Sequence, residues 1–133
     1  MLTNRHVQVG EGKDSFVLAG LDDVVGNGAR GPNLARTFAG APPDLARVLL
    51  SHNPGYYPTS HAFADLTLSG HTHGGQITVF INPAELVLRH GLVRGHYFRG
   101  ESQLYVNRGF GTAGPPTRVG SPPEITALVL TSV

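Results

Sequence analysis

Leu66-Thr67-Leu68-Ser69-Gly70-His71-Thr72-His73-Gly74-Gly75-Gln76 decides how the rest of the sequence is read. Leu66 to Ser69 is short, apolar and β-prone, which predicts a strand. Gly70, Gly74 and Gly75 stop either regular element from continuing, so both histidines fall on a loop just past a strand end. On a helix, residues two apart point to roughly opposite sides; on a bent loop both rings can turn toward one point. Neutral imidazole is a common ligand for zinc, iron, manganese and related cations, and flanking glycines let the backbone come close to an ion.

Upstream, Arg47-Val48-Leu49-Leu50-Ser51-His52-Asn53-Pro54 repeats the pattern: a short apolar strand, a histidine, then a chain break at Asn-Pro. A lone histidine at a strand end is commonly just solvated. Two strand ends delivering His52, His71 and His73 instead point to a metal site. Between them, Tyr56 to Ala64 predicts a helix, so strand, helix and strand suggest a βαβ unit with its ligands gathered at the carboxyl ends of the strands.

The segments LLSHNP and LSGHTHGGQI, with LYVNRGFGTAGPPTRVGSPPEITALVL after them, resemble the second half of a calcineurin-like metallophosphoesterase. The likeness runs from about Leu18 to the C-terminus and is nearest the bacterial branch of membrane-associated phosphodiesterases and UDP-diacylglucosamine pyrophosphatase-like enzymes. It implies an α/β fold, here part of a four-layer α/β/β/α sandwich with mixed sheets. It implies divalent metal ions (Mn, Zn, Fe or Mg, two in the complete site) and a phosphoester or pyrophosphate substrate, one that could be lipid-linked. By position, His52 and His71 resemble ligands of the second metal and His73 a ligand of the first. The family's acidic motifs, Asp-x-His and Gly-Asp-x-x-Asp, and its Gly-Asn-His segment have no counterpart in this sequence, so the expectation is a domain fragment whose two-metal site is incomplete. The same resemblance leaves the bacterial cytoplasm or the inner-membrane face as the expected location.

The missing carboxylates matter physically. Two divalent cations about 3.5–4 Å apart repel by on the order of 15–20 kcal/mol even at an effective dielectric near 20, and neutral imidazoles cannot offset that. The alternative reading is therefore a non-catalytic metal- or partner-binding β-rich module. A cupin-type site is one version, although Gln76 stands where that motif wants a glutamate.

With 133 residues, a net charge of +1 and no cysteine, the chain suits a single domain spanning 1–133, without disulfides or thiolate chemistry. The near-neutral balance gives no reason to expect nucleic acid. No apolar run reaches transmembrane length and no signal peptide is visible. Eighteen glycines and ten prolines predict many turns.

Along the rest of the chain, Leu2 to Val9 and Ser15 to Leu21 predict a β-hairpin about a Gly10–Asp14 turn. Asp22-Asp23 could bind a metal, and the resemblance implies an acidic pair at this place, but adjacent side chains on an extended segment point apart, so the pair reads as turn or capping residues; Val24 to Pro32 reads as a loop. Asn33 to Ala39 fits a short helix capped by Asn33. Gln76 to Phe80 is β-like, and Ile81 to Gly95 is a connection. Tyr97–Arg99 and Gln103–Asn107 form a second hairpin; His90 and His96 read as surface residues. Gly109 to Pro123 is a long loop, of the kind that is often functional. Arg108 and Arg118 beside and within it are candidate phosphate-binding residues, since the guanidinium fork suits a pair of phosphate oxygens. Glu124 to Thr131 predicts a last, well-covered strand. A half-sandwich would expose a sheet edge and part of an apolar face, inviting self-association.

Overall fold

The computed structural model describes residues 1–23, 31–78 and 91–131. Six strands form one mixed sheet: β1 (Arg5–Val9), β2 (Phe16–Gly20), β3 (Arg47–Leu50), β4 (Leu66–Ser69), β5 (Gly95–Arg99) and β6 (Ser102–Val106). Their order is β1-β2-β3-β4-β6-β5. The four central strands, β2, β3, β4 and β6, are parallel, and the outer two fold back as antiparallel hairpin arms. Both predicted hairpins and the βαβ unit are present, and the fold class is the expected mixed α/β.

Parallel pairing fixes where the loops emerge. The carboxyl ends of β2, β3, β4 and β6 lie along one edge, so Leu21-Asp22-Asp23, Ser51-His52, Gly70-His71-Thr72-His73 and Asn107-Arg108 all leave the sheet there. The hydrogen bonding continues past the strand ends: Leu21 N–H donates to Leu50 O at 2.9 Å, Ser51 N–H to Leu68 O at 3.0 Å and Asn107 N–H to Ser69 O at 2.8 Å.

Cross-strand partners share a face. Val17, Ala19, Leu49, Thr67, Leu104 and Val106 line one side and are fully buried. Helix α1 (Leu34–Thr37) covers part of it with Leu34 and Phe38. Asn33 caps α1, its side chain accepting from Arg36 N–H at 2.9 Å. Helix α2 (Tyr57–Ser60) covers the neighbouring region with Tyr57, which packs on Leu104 and Val106 and donates to Ser102 O at 2.7 Å. The predicted Tyr56–Ala64 helix is thus a single α-turn, preceded by a 3₁₀ turn at Pro54–Tyr56. Pro58 lies in the first turn of α2, where a missing N–H is tolerated. Among the described residues no helix is long and apolar enough to cross a membrane.

The other face carries Val7, Val9, Leu18, Val48, Leu50, Leu66, Leu68 and Tyr105 and is only partly covered; Val7, Val9 and Leu50 are exposed. The predicted final strand, Glu124 to Thr131, joins no ladder. Ile125 and Val129 are 84% and 86% exposed, so the expected covered position is not realised. A strand is a property of a pair: apolar alternation gives the propensity, but a neighbouring strand must offer its N–H and C=O groups. Of the predicted Gln76–Phe80 strand, Ile77 makes isolated bridges to Val119 and Gly120, and residues 79–80 lie outside the described residues. So do most of the predicted loop, at 24–30, and most of the predicted connection, at 81–90, His90 included.

Asn4 joins the first hairpin to the rest. It is buried, takes a left-handed φ of 49°, and accepts at Oδ1 from both Asp22 N–H and Asn33 N–H at 3.1 Å. Its Nδ2 donates to Gly31 O at 2.8 Å. Asn4→Ala strands these backbone groups and removes a side chain that tolerates this backbone region. We expect a loss of about 2–4 kcal/mol in urea unfolding; a change below about 0.5 kcal/mol, the scale of a neutral surface substitution, would show that the junction is held elsewhere.

Candidate functional site

His52 and His71 come from neighbouring parallel strands and meet at the sheet edge. Gly70 N–H donates to His52 O at 3.1 Å, tying the two loops at the backbone. The rings lie edge to face with centroids 4.9 Å apart, and His71 Nδ1 is 3.1 Å from His52 Nε2. Both are exposed. Beside them an open depression of about 460 Å³ is lined by Leu2, Leu21, Leu50, Leu68 and Ser69 together with His52.

His71 and His73 have φ of 69° and 52°, and Gln76 one of 48°. These are left-handed values that non-glycine residues rarely adopt and that concentrate at functional loops. The turn that imposes them is tightly built. Thr72 donates to Val93 O at 2.5 Å and accepts from Gly74 N–H at 3.3 Å. Gly74, at φ 62°, has no room for a side chain: a Cβ would lie 2.5 Å from Ser121 Oγ and 2.9 Å from Arg108 Cγ.

His73 turns toward the long loop rather than toward the histidine pair. Its Nδ1 sits 3.4 Å from Gly111 O and 3.3 Å from Arg118 Nη2, and its carbonyl accepts from Ser121 Oγ at 2.9 Å. Gln76 holds the same loop by both ends of its amide. Its Nε2 donates to Ala113 O and Pro115 O at 3.0 and 3.1 Å, and its Oε1 accepts from Ala113 N–H at 2.8 Å. Arg118 is committed to main-chain carbonyls of Arg108, Gly111, Ser121 and His73. Arg108 Nε lies 3.1 Å from Glu124 Oε2, an ion pair without a well-aligned hydrogen bond.

Glu124 anchors the start of the C-terminal stretch to β6. It accepts from Tyr105 Oη in a short contact and from Thr126 Oγ1 at 2.7 Å, while Asn107 Nδ2 donates to Thr126 Oγ1 at 2.8 Å. Burial works to raise the Glu124 carboxyl pKa. The hydrogen bonds from Tyr105, Thr126 and the Arg108 backbone, with the Arg108 charge, outweigh it and hold the group below its ordinary value. The bond to Glu124 raises the Tyr105 phenol in turn.

Among the described residues the donor chemistry of the histidine pair fits one side of a cation. Two imidazole nitrogens on a tetrahedral ion with bonds of about 2.0–2.1 Å stand about 3.3 Å apart, close to the separation of the His52–His71 nitrogens. Yet among the described residues no group of three or more His, Cys, Asp or Glu could hold a metal ion. Asp22, one strand over, accepts at Oδ1 from Asp23 N–H at 3.0 Å. Exposed His96 bonds Gln103 Oε1 across the outer hairpin at 2.9 Å. The residues that sequence reasoning passed over are Gln76, Asn107 and Glu124. Asn107 carried a readable signal: an Asn two places before a glycine favours an Asx turn, and Gly109 N–H does donate to its Oδ1 at 2.6 Å.

The chain is similar to proteins named metallophosphoesterases. An uncharacterized metallophosphoesterase of Campylobacter jejuni is 41% identical over 96% of this chain and 35% of its own length. A second uncharacterized metallophosphoesterase, from Bacillus subtilis, is 37% identical over 86% of this chain and 40% of its own. A bovine transmembrane protein with a metallophosphoesterase domain is 35% identical over 90% of this chain and 28% of its own. The chain thus spans well under half the length of these relatives. No family model matches it, and no solved structure does.

The Glu124 cluster has a pH signature. A carboxyl whose folded pKa is lowered contributes stability that is fully present above its unfolded value, near 4.5, and is lost as pH falls through the folded value. Wild type should therefore exceed Glu124→Gln in urea stability at pH 7, and the gap should close progressively in acid below that value. A gap that is constant from pH 7 into strong acid would show that the carboxylate charge contributes nothing.

Proposed function

Homology along nearly the whole chain supports a metallophosphoesterase family, and with that as premise we propose that this chain supplies the imidazole-bearing part of a phosphodiesterase- or pyrophosphatase-type hydrolase. In this reading His52 and His71 hold one divalent cation and His73 faces a second. The reaction is attack of water on a phosphoester. The ions, when bound, would supply Lewis-acid polarisation of the phosphoryl oxygens.

The observation that carries the reading is the convergence of His52 and His71 from adjacent parallel strands, with nitrogens 3.1 Å apart. The parallel sheet brings both to the edge where α/β folds bind ligands. The chain's own groups then divide the work. Gly70 and Gly74 set the turn, Thr72 and Ser121 fix its backbone, and Arg108 stands beside it as the candidate contact for phosphate oxygens. The reading takes the anionic ligands that two neighbouring cations require from a segment outside this chain. A non-catalytic metal- or partner-binding module is the second reading, favoured by the absence of a third metal-binding group near the histidine pair among the described residues. The lipid link, the membrane-face location and self-association through an exposed sheet edge belong to the same proposal.

The test is hydrolysis of bis-p-nitrophenyl phosphate with manganese. The 133-residue chain alone should be inactive. Fused behind the residues that precede the matched region in the Campylobacter jejuni relative, it should turn over substrate. His71→Ala or His73→Ala should then cut the rate by more than about a hundredfold, beyond the usual loss for a residue that only supports a metal ligand. Activity that survives both substitutions together would refute the reading. A fusion that folds and binds manganese but never hydrolyses would favour the second.

A further inference from the structure

We infer that Arg118 is a positioning residue for the His73 turn, not a ligand for phosphate. The guanidinium has five N–H donors and no acceptor. Here every donor is aimed at a main-chain carbonyl. Nε donates to Gly111 O at 2.9 Å, Nη1 to Ser121 O at 3.1 Å and to His73 O at 3.2 Å, and Nη2 to Gly111 O at 2.6 Å and to Arg108 O at 2.8 Å. A phosphate would have to displace two of these bonds to be held bidentately.

The four carbonyls come from three separate pieces of chain: the end of β6, the His73 turn, and both limbs of the loop that runs from Gly109 to Ser121. That loop has a sequence too rich in glycine and proline to order itself through regular backbone pairing. Arg118 stands in for that pairing, with charge-assisted bonds stronger than neutral ones. Nη2 also lies 3.3 Å from His73 Nδ1, so the clamp borders the ring as well as its backbone. A lysine keeps the charge but lacks the planar fork, so it cannot reach four carbonyls at once.

The value of this clamp for catalysis rests on the hydrolase reading, but the clamp itself does not, so it is tested on the metal-free 133-residue chain by NMR. In wild type, the Arg118 guanidinium protons should exchange slowly, and titration with inorganic phosphate should leave them in place. Arg118→Lys and Arg118→Gln should behave alike. Both should speed amide exchange at Ala113, Val119 and Glu124 by at least about tenfold and move the His73 ring signals, leaving those of His52 and His71 unchanged. Wild-type guanidinium signals that shift with phosphate would overturn the inference, as would a lysine variant with wild-type exchange and an unmoved His73. If both variants unfold, the wild-type exchange and phosphate titration decide alone. Failure here leaves the hydrolase reading intact, because that reading is judged by turnover of the fused chain.

Discussion

Everything at the candidate site depends on the parallel direction of β2, β3, β4 and β6. Reversing any one of them would carry its outgoing loop to the far edge, one strand length away. With the direction fixed, adjacent strands place His52 and His71 side by side, and the backbone bond from Gly70 to His52 locks that neighbourhood. The side chains need little beyond this to meet. What the sheet cannot do is aim His73, which lies further along the loop that leaves β4. That task passes to the loop between Gly109 and Ser121, through Gln76, Ser121 and Arg118.

The parts of this structure that were readable in the sequence are those whose causes are local. Glycine beside histidine announced the turn after β4, Asn33 announced a helix start, and short β-prone runs about turn residues announced both hairpins. The parts that were not readable have partners without residue identity. Arg118 stands out in the sequence only as a charged fork, and the partners it has in the structure are carbonyls, which every residue has. Gln76 has no visible task in the sequence until the loop it clasps is seen. The stretch from Glu124 failed as a strand for a related reason: its apolar Leu128-Val129-Leu130 run states a preference for pairing, and among the described residues no strand pairs with it. Left-handed backbone at His71 and His73 was equally hidden, because glycines nearby appeared sufficient to make the turn.

Among the described residues the histidine pair gathers no third His, Cys, Asp or Glu. An imidazole pair presents neutral lone pairs, well suited to one borderline cation and poorly suited to holding two close together. Among the described residues, Glu124 is the carboxylate locked near the His73 loop, and its oxygens are spent on Tyr105, Thr126 and Arg108. It ties the start of the C-terminal stretch to β6.

The left-handed backbone at His71 and His73 has a consequence for engineering. Glycine or asparagine would sit more easily at both positions than histidine does. A screen that rewards only heat resistance would therefore drift toward those residues and erase the imidazoles while leaving the fold untouched. Durability and the proposed metal-holding role pull in opposite directions at these two positions, and improving one by blind selection would silently remove the other.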